Sequence, residues 1–386
     1  MYEEKIAVIG GGNWGSAIAK KIGQNFQAKY RKEKEEEGEE GKANHHKPEG
    51  LVMWLYEEYI NNEKLTDIIN TRHENIKYLP QIPLPDNVRA SSDLIECVKD
   101  KKILLFVIPH QFLRGTIKNL QGVVSPDTIC VSLMKGIEAS TNGDHQIKRF
   151  TTIIEEELGV HNAVAIMGAN VATDVAHDHF AEATIASLNR YSAIAVAELL
   201  ECDSFRTEIT YDVSSVEWCG ALKNIYALGA GMCDGMGGGS NAKAALLRQA
   251  LKEMTEFCRV FDQTGHFKVE TLLRSCGVAD LIATSYGGRN RKCAAEFYTR
   301  CQQRNDLDEE KTKLLWEEIE SELLNGQKLQ GVSTCYEVVD FLHATRHWEK
   351  HPDHFPLLHI IFKIITTGQS FESLFHYHHA VHFTHR

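Results

Sequence analysis

A lysine set among core-type residues is where chemistry first shows in this chain. Ala221-Leu222-Lys223-Asn224-Ile225-Tyr226 places Lys223 and Asn224 inside an apolar helical run, and lysine is almost never fully buried without a partner. Two readings stay open on these residues. The ammonium snorkels along its stem to solvent, or it faces a cleft where desolvation lowers its pKa and suits it to give and take a proton. Gly277-Val278-Ala279-Asp280-Leu281-Ile282-Ala283-Thr284 sets Asp280 and Thr284 four apart, on one helix face. Just beyond, Gly287-Gly288-Arg289-Asn290-Arg291 joins a glycine pair to an arginine and an asparagine at a helix start. Backbone donors combined with a guanidinium fork suit a phosphate. Pro109-His110-Gln111-Phe112 and Leu133-Met134-Lys135-Gly136 each follow an apolar strand, at carboxyl ends where open α/β sheets bind ligands. Lys135 either faces that cleft or is a solvated loop lysine. Asn325-Gly326-Gln327-Lys328-Leu329-Gln330-Gly331 is a polar loop bounded by glycines.

A second pattern is Gly10-Gly11-Gly12-Asn13-Trp14-Gly15, which fits G-x-G-x-x-G between a strand and a helix. The first glycine permits the tight turn, the second lets backbone approach a pyrophosphate, and the third allows close helix–strand packing. Free N–H groups at the helix start face the phosphates. Dinucleotide folds carry a ribose-binding acid about 20 residues on, but a mechanical count lands in a charged insertion. The position belongs at the end of the second strand, at Tyr56-Glu57-Glu58. Two acids without a nearby arginine cluster favour NAD over NADP.

The elements that must position these residues follow from patterning. Continuous apolar runs at 5–9, 51–56, 103–109, 128–134 and 163–168 read as strands buried on both faces, and 183–187 and 205–211 complete the set. Helical patterns lie between them. The expected fold is an α/β N-terminal Rossmann-type doubly wound parallel sheet over 1–212, joined to a mainly α-helical C-terminal domain over 213–386. Ser214-Ser215-Val216-Glu217 reads as the capping box that opens the second domain, with helices expected at 214–232, 241–262, 269–274, 278–285, 290–302, 308–324, 334–343 and 356–366. Residues 27–50, with almost no apolar side chain, read as a flexible charged insertion.

Composition narrows the partners. At about 150 residues per domain, 386 residues suggest two or three domains. A formal charge of −11 opposes general attraction to nucleic acid and to anionic membrane surfaces. The chain has no apolar run near the roughly 18 residues of a membrane helix, and its acidic first residues do not resemble a secretory signal. An intracellular, cytoplasmic protein with reduced cysteines is expected. The ten cysteines include no Cys-x-x-Cys spacing, so no structural zinc is expected. Ten of the 19 histidines fall from His343 onward. His376, His379, His382 and His385 recur at intervals of three, which suggests a His-rich peripheral tail rather than a metal site.

Six blocks carry a resemblance. They are 11–20 (Gly-Gly-Asn-Trp-Gly-Ser-Ala-Ile-Ala-Lys), 106–112 (Phe-Val-Ile-Pro-His-Gln-Phe), 219–224 (Cys-Gly-Ala-Leu-Lys-Asn), 275–282, 286–292 and 323–331. Together they resemble the eukaryotic cytosolic NAD-dependent glycerol-3-phosphate dehydrogenases over nearly the whole chain, except 27–50 and the last few tens of residues. The resemblance implies interconversion of dihydroxyacetone phosphate and glycerol 3-phosphate, and a homodimer. It places Lys223 as general acid/base and Lys135 as a second lysine on the substrate. Asp280 and Thr284 become their polar partners, and Arg289 and Asn290 hold the phosphate, with Asn224 beside the substrate. Cofactor contacts fall on the Gly10-Gly11-Gly12 loop, Asn13, Trp14, Gly15, Tyr56, Phe112, Ala172, Arg289, Lys328 and Gln330. A non-catalytic NAD(H)-responsive relative and a hydroxy-acid dehydrogenase are the rivals. All the reactive side chains are present, which argues against the first, and Arg289-Asn290 argues against the second.

Overall fold

The computed structural model describes residues 3–37, 49–139, 147–304, 306–324, 328–351 and 353–377. The chain divides into two compact units: Met1–Lys135 with Arg149–Val216, and Gly136–Lys148 with Glu217–Arg386.

In the first unit, eight strands form one sheet. They are β1 (Glu3–Ile9), β2 (Glu49–Trp54), β5 (Val88–Ser91), β6 (Ile103–Phe106), β7 (Ile129–Ser132), β10 (Asn162–Met167), β11 (Ala181–Ala186) and β12 (Phe205–Thr210). Their order is β12-β11-β10-β7-β6-β1-β2-β5, and every pairing is parallel except β10 with β11. A short hairpin, β3 (Tyr59–Ile60) with β4 (Glu63–Lys64), follows β2.

Alternation along β1 shows why its run is continuously apolar. Ile6 and Val8 pack on one face with Ala17, Ile18 and Ile22 of α1 (Asn13–Glu37) and with α7 (Arg190–Leu200). Ala7 and Ile9 pack on the other with Leu113 and Ile117 of α4 (Leu113–Leu120) and Ile153 of α5 (Phe150–Leu158). Both faces are covered, as a parallel sheet requires. Shorter helices α2 (Leu65–Arg72), α3 (Leu94–Val98) and α6 (Ala172–Ala176) complete the layers. The strand missing from the sequence reading is β5. It is a four-residue edge strand with alternating burial, so it offers no continuous apolar run.

Helices dominate the second unit: α8 (Val213–Gly235), α9 (Gly239–Val260), α10 (Asp280–Gly287), α11 (Arg289–Cys301), α12 (Glu309–Leu323), α13 (Gln330–Ala344), α14 (His347–Lys350) and α15 (Pro356–Thr367). Residues 216–233 of α8 are buried throughout, and a helix apolar on all sides belongs in the middle of a core.

Four expectations need correction. The boundary at 212/213 misses 136–148, which belongs to the helical unit. There β8 (Glu138–Ala139) pairs with β9 (Ile147–Lys148), Ile137 and Ile147 enter the core beside Trp218, and Gln263 donates to the Ile147 carbonyl at 2.7 Å. The supposed loop 27–50 begins as helix, because α1 runs to Glu37. Lys, Glu and Arg cannot build a core but are good helix formers, so a helix nucleated on packed residues propagates cheaply through them. Residues 38–48 lie outside the described residues. The capping side chain of α8 is not Ser214 but Asp212, whose carboxylate accepts from the Ser215 N–H at 3.1 Å. Finally, the histidine-rich segment folds into the helical unit as far as Tyr377. His347 is buried, and His347, His351 and His354 lie ring to ring. His378, His379, His382 and His385 lie outside the described residues. Among those described, no helix is long and apolar enough to cross a membrane.

Candidate active site

Cofactor candidates of the sheet unit gather at the carboxyl ends of β1, β2, β6, β7 and β10. The chain runs outward from β1 through β2 to β5, then returns to β6 on the other side of β1. That reversal makes the crevice between β1 and β6 the topological switch point, where such sheets bind ligands.

Here the glycine loop takes its shape from what a side chain would meet. Gly10 has φ +124°, and a Cβ there would lie 2.6 Å from the Val107 carbonyl oxygen. At Gly15 it would lie 1.8 Å from the Gly10 oxygen, and at Gly11 2.6 Å from Leu55 Cβ. A Cβ on Gly12 would meet nothing within 4 Å. The loop is therefore closed on three sides and open at Gly12, beside the unpaired N–H groups of the first turn of α1. Asn13 Oδ1 is buried there without a hydrogen-bond partner. An open backbone cradle with amide donors and an orphaned polar atom fits a dinucleotide pyrophosphate.

A residue the sequence reading passed over holds this loop. Asn75, fully buried, donates to the Gly11 carbonyl and to Ser16 Oγ, both at 2.8 Å. Nothing in the pattern around Asn75 marks it, because its partners lie about 60 positions away.

Beyond the loop, Tyr56 is 80% exposed and meets Trp54 edge-on, and Phe112 is exposed at the end of a short 3₁₀ turn. Trp14 packs partly against the core, and Ala172 opens α6. The acids expected near the ribose have protein partners of their own. Glu57 accepts from the Thr66 hydroxyl at 2.8 Å. Glu58 pairs with Lys77 and accepts from the Tyr78 hydroxyl at 2.6 Å. Burial pushes the Glu58 carboxyl up, but these two bonds outweigh it and hold it below its ordinary value. Lys135 donates to the Gly168 carbonyl at 3.4 Å, which ties the end of β7 to the end of β10.

In the helical unit three predicted side chains meet. Lys223 is 5% exposed, and its ammonium donates to Asp280 Oδ1 at 2.7 Å and to Thr284 Oγ1 at 2.5 Å. Thr284 in turn donates to Asp280 Oδ1 at 3.2 Å. The snorkelling alternative is excluded by this burial. A charge there is tolerable only with a partner, and Asp280 is that partner. Asp280 begins α10 directly after a π-helical turn, Ser275–Ala279. Gly277 makes that turn possible, since a Cβ would lie 2.2 Å from the Leu272 oxygen.

Asn224, Asn290 and Gly331 form a second set. Asn290 donates to Asn224 Oδ1 at 2.9 Å and accepts from the Gly331 N–H at 2.9 Å. This chain ties α8 to the starts of α11 and α13. Arg289 is the first residue of α11 and is exposed. Gln330 opens α13. Lys328 pairs with Glu320 at 2.6 Å, and Glu320 also accepts from the Leu329 N–H at 2.8 Å. Asn325–Gln327 of the polar loop lie outside the described residues.

Comparison with known proteins gives these two sets a family. The N-terminal model of the NAD-dependent glycerol-3-phosphate dehydrogenases matches residues 5–193, and the C-terminal model matches residues 212–376. The cytoplasmic NAD(+) glycerol-3-phosphate dehydrogenase of Bos taurus is 42% identical over 376 residues, covering 97% of each chain. Among solved structures, glycerol-3-phosphate dehydrogenase of Saccharomyces cerevisiae superposes with a TM-score of 0.79 at 37% identity, covering 96% of this chain and 98% of that one. A Dunaliella salina protein reaches 0.84 at 36% identity over 98% of this chain, which spans 60% of the longer algal protein. The chain belongs to the NAD-dependent glycerol-3-phosphate dehydrogenase family.

Proposed function

We propose that this protein is an NAD-dependent glycerol-3-phosphate dehydrogenase that reversibly interconverts dihydroxyacetone phosphate and sn-glycerol 3-phosphate, with Lys223 as general acid/base. The observation that carries Lys223 into this role is a buried ammonium held on Asp280 and Thr284, in a helix otherwise given over to core. NAD supplies the hydride chemistry at C4 of its nicotinamide.

Lys223 Nζ gives a proton to the ketone oxygen as charge develops there, and takes it back from the hydroxyl in the reverse direction. Asp280 and Thr284 fix Nζ in place, and Asp280 offsets the cost of burying its charge. The family resemblance assigns Lys135 to the substrate as a second lysine, a positive charge of the kind that stabilises a developing oxyanion. The Arg289 guanidinium and the N–H groups at the start of α11 hold the substrate phosphate. Asn290 and Asn224 hold that helix end against the residue next to the proton donor. Distant phosphate binding then serves orientation at the carbonyl. The Gly10–Gly15 loop takes the pyrophosphate, Tyr56 and Phe112 offer aromatic faces and Ala172 a further contact; the family resemblance also assigns Arg289, Lys328 and Gln330 of the helical unit to the cofactor.

The relatives are named cytoplasmic, and the cytoplasm is the proposed compartment. A homodimer is proposed from the family resemblance, and light scattering would read twice 43.5 kDa. The deciding experiment is NADH consumption with dihydroxyacetone phosphate by purified protein. Steady turnover is expected. A folded protein that binds NADH yet turns nothing over would overturn the reading in favour of a regulator.

A further inference from the structure

An ion-pair cluster in the helical unit has no part in the chemistry above, yet it brackets the proposed phosphate seat. Asp234, in the last turn of α8, accepts both hydrogen bonds of the Lys243 ammonium, at 2.7 and 3.0 Å, and one from Arg291 Nε at 2.5 Å. Lys243 is 5% exposed, and its ammonium also lies 4.2 Å from the centre of the Tyr286 ring. Tyr286 immediately precedes Gly287-Gly288, and Arg291 is the third residue of α11. One carboxylate therefore grips the glycine turn on both shoulders.

Backbone packing explains why the turn needs gripping. A Cβ on Gly231 would lie 2.2 Å from the Arg291 carbonyl oxygen, and one on Gly235 would lie 3.0 Å from the Ala295 oxygen. The final turns of α8 and the first turns of α11 thus approach backbone to backbone, with the Ala294 and Tyr298 side chains seated over Gly231 and Gly235. Gly288 itself, the residue before α11, has φ −79° and ψ 160°. A glycine pair gives little resistance of its own to a swing of the helix end. Burial pushes the Asp234 carboxyl up, but the bonds from Lys243 and Arg291 outweigh it and hold it below its ordinary value, so the grip persists at neutral pH.

We infer that Asp234 is a positioning residue for the substrate phosphate: through Lys243 with Tyr286 on one side and Arg291 on the other, it sets where the Arg289 guanidinium and the α11 N–H groups point. This rests on the proposed role of Arg289. Without the carboxylate, Arg291 is released to solvent, buried Lys243 loses its partner, and the phosphate seat drifts while Lys223, Asp280 and the cofactor loop keep their contacts.

The test measures Asp234→Asn, Arg291→Gln and Lys243→Arg in the full-length protein, with dihydroxyacetone phosphate and with unphosphorylated dihydroxyacetone. Arg291 is more than a third exposed, so its variant carries little risk to folding. For Asp234→Asn a KM for the phosphorylated ketone raised at least roughly ten-fold is expected, with a smaller rise for Arg291→Gln. kcat/KM for dihydroxyacetone should hold near wild type, and Lys243→Arg should keep most of the phosphate preference. An unchanged KM in Arg291→Gln together with Asp234→Asn, or equal losses on both ketones, would overturn the inference. Arg289→Ala separates the two claims. If it abolishes the preference and Asp234→Asn does not, only the positioning role fails; if it leaves the preference intact, the phosphate seat itself is misplaced.

Discussion

In the sheet unit the surface proposed to face the pyrophosphate is made of backbone. Gly10, Gly12 and Gly15 give it shape by what they lack, and buried Asn75 fixes it through a carbonyl. In the helical unit the proposed site is built on charged side chains held by others: Lys223 on Asp280 and, behind the proposed phosphate seat, Lys243 and Arg291 on Asp234. The difference suits the two tasks. A pyrophosphate is bound and released unchanged, so fixed amide dipoles suffice. A carbonyl undergoing reduction needs a group that exchanges a proton, which backbone cannot supply.

The contrast makes its largest prediction at Lys223. Lys223→Ala is expected to lower kcat by roughly 10²–10⁴-fold while the NADH dissociation constant, read by fluorescence, stays put. A variant with intact kcat would remove Lys223 from proton transfer. Next come two glycines of one loop. Gly15→Ala places a Cβ 1.8 Å from the Gly10 oxygen, so NADH binding should collapse along with about 1–3 kcal/mol of stability, the usual cost of overpacking. Gly12→Ala meets no protein atom, so Tm should hold and only NADH affinity should fall. If Gly12→Ala binds NADH like the wild type, the open side of the loop is not the pyrophosphate seat.

The smallest effect belongs to a side chain with no direct part in either site. Glu253 is fully buried and accepts from Gln249, from Tyr226 and from the Leu357 and Leu358 N–H groups at the start of α15. Burial nonetheless pushes its carboxyl up to about 7. A folded-state pKa above the unfolded value contributes stability that is complete below the unfolded pKa, near 4.5, and is lost as pH rises through about 7. Glu253→Gln should therefore show a flatter decline in Tm than the wild type between pH 5 and 8. Parallel curves would show that Glu253 keeps one protonation state throughout that range.

Legibility in the sequence divided along the same line. Strands β1, β6 and β10 were readable because both faces are covered, and the cofactor loop because a strand, three glycines and a helix are contiguous. Edge strand β5 was not, being short and half-solvated. Lys223 stood out as a charge in a core helix, but its partner lies 57 positions on, and only the fold shows that the distance closes to 2.7 Å. Asp234 and Asn75 carried no local signal, since an acid near a helix end and an asparagine in a loop are ordinary. The charged stretch after residue 27 hides its helix, because residues that cannot form a core still propagate a helix already nucleated on packed ones.

That stretch has a practical use. At 1.5 Å per residue, the exposed positions Glu33–Glu36 lie roughly 30 Å along α1 from Asn13. A cysteine introduced there would carry a dye or a surface tether on a stiff arm anchored beside the cofactor loop. The reporter would register motion of that loop while standing too far away to obstruct it.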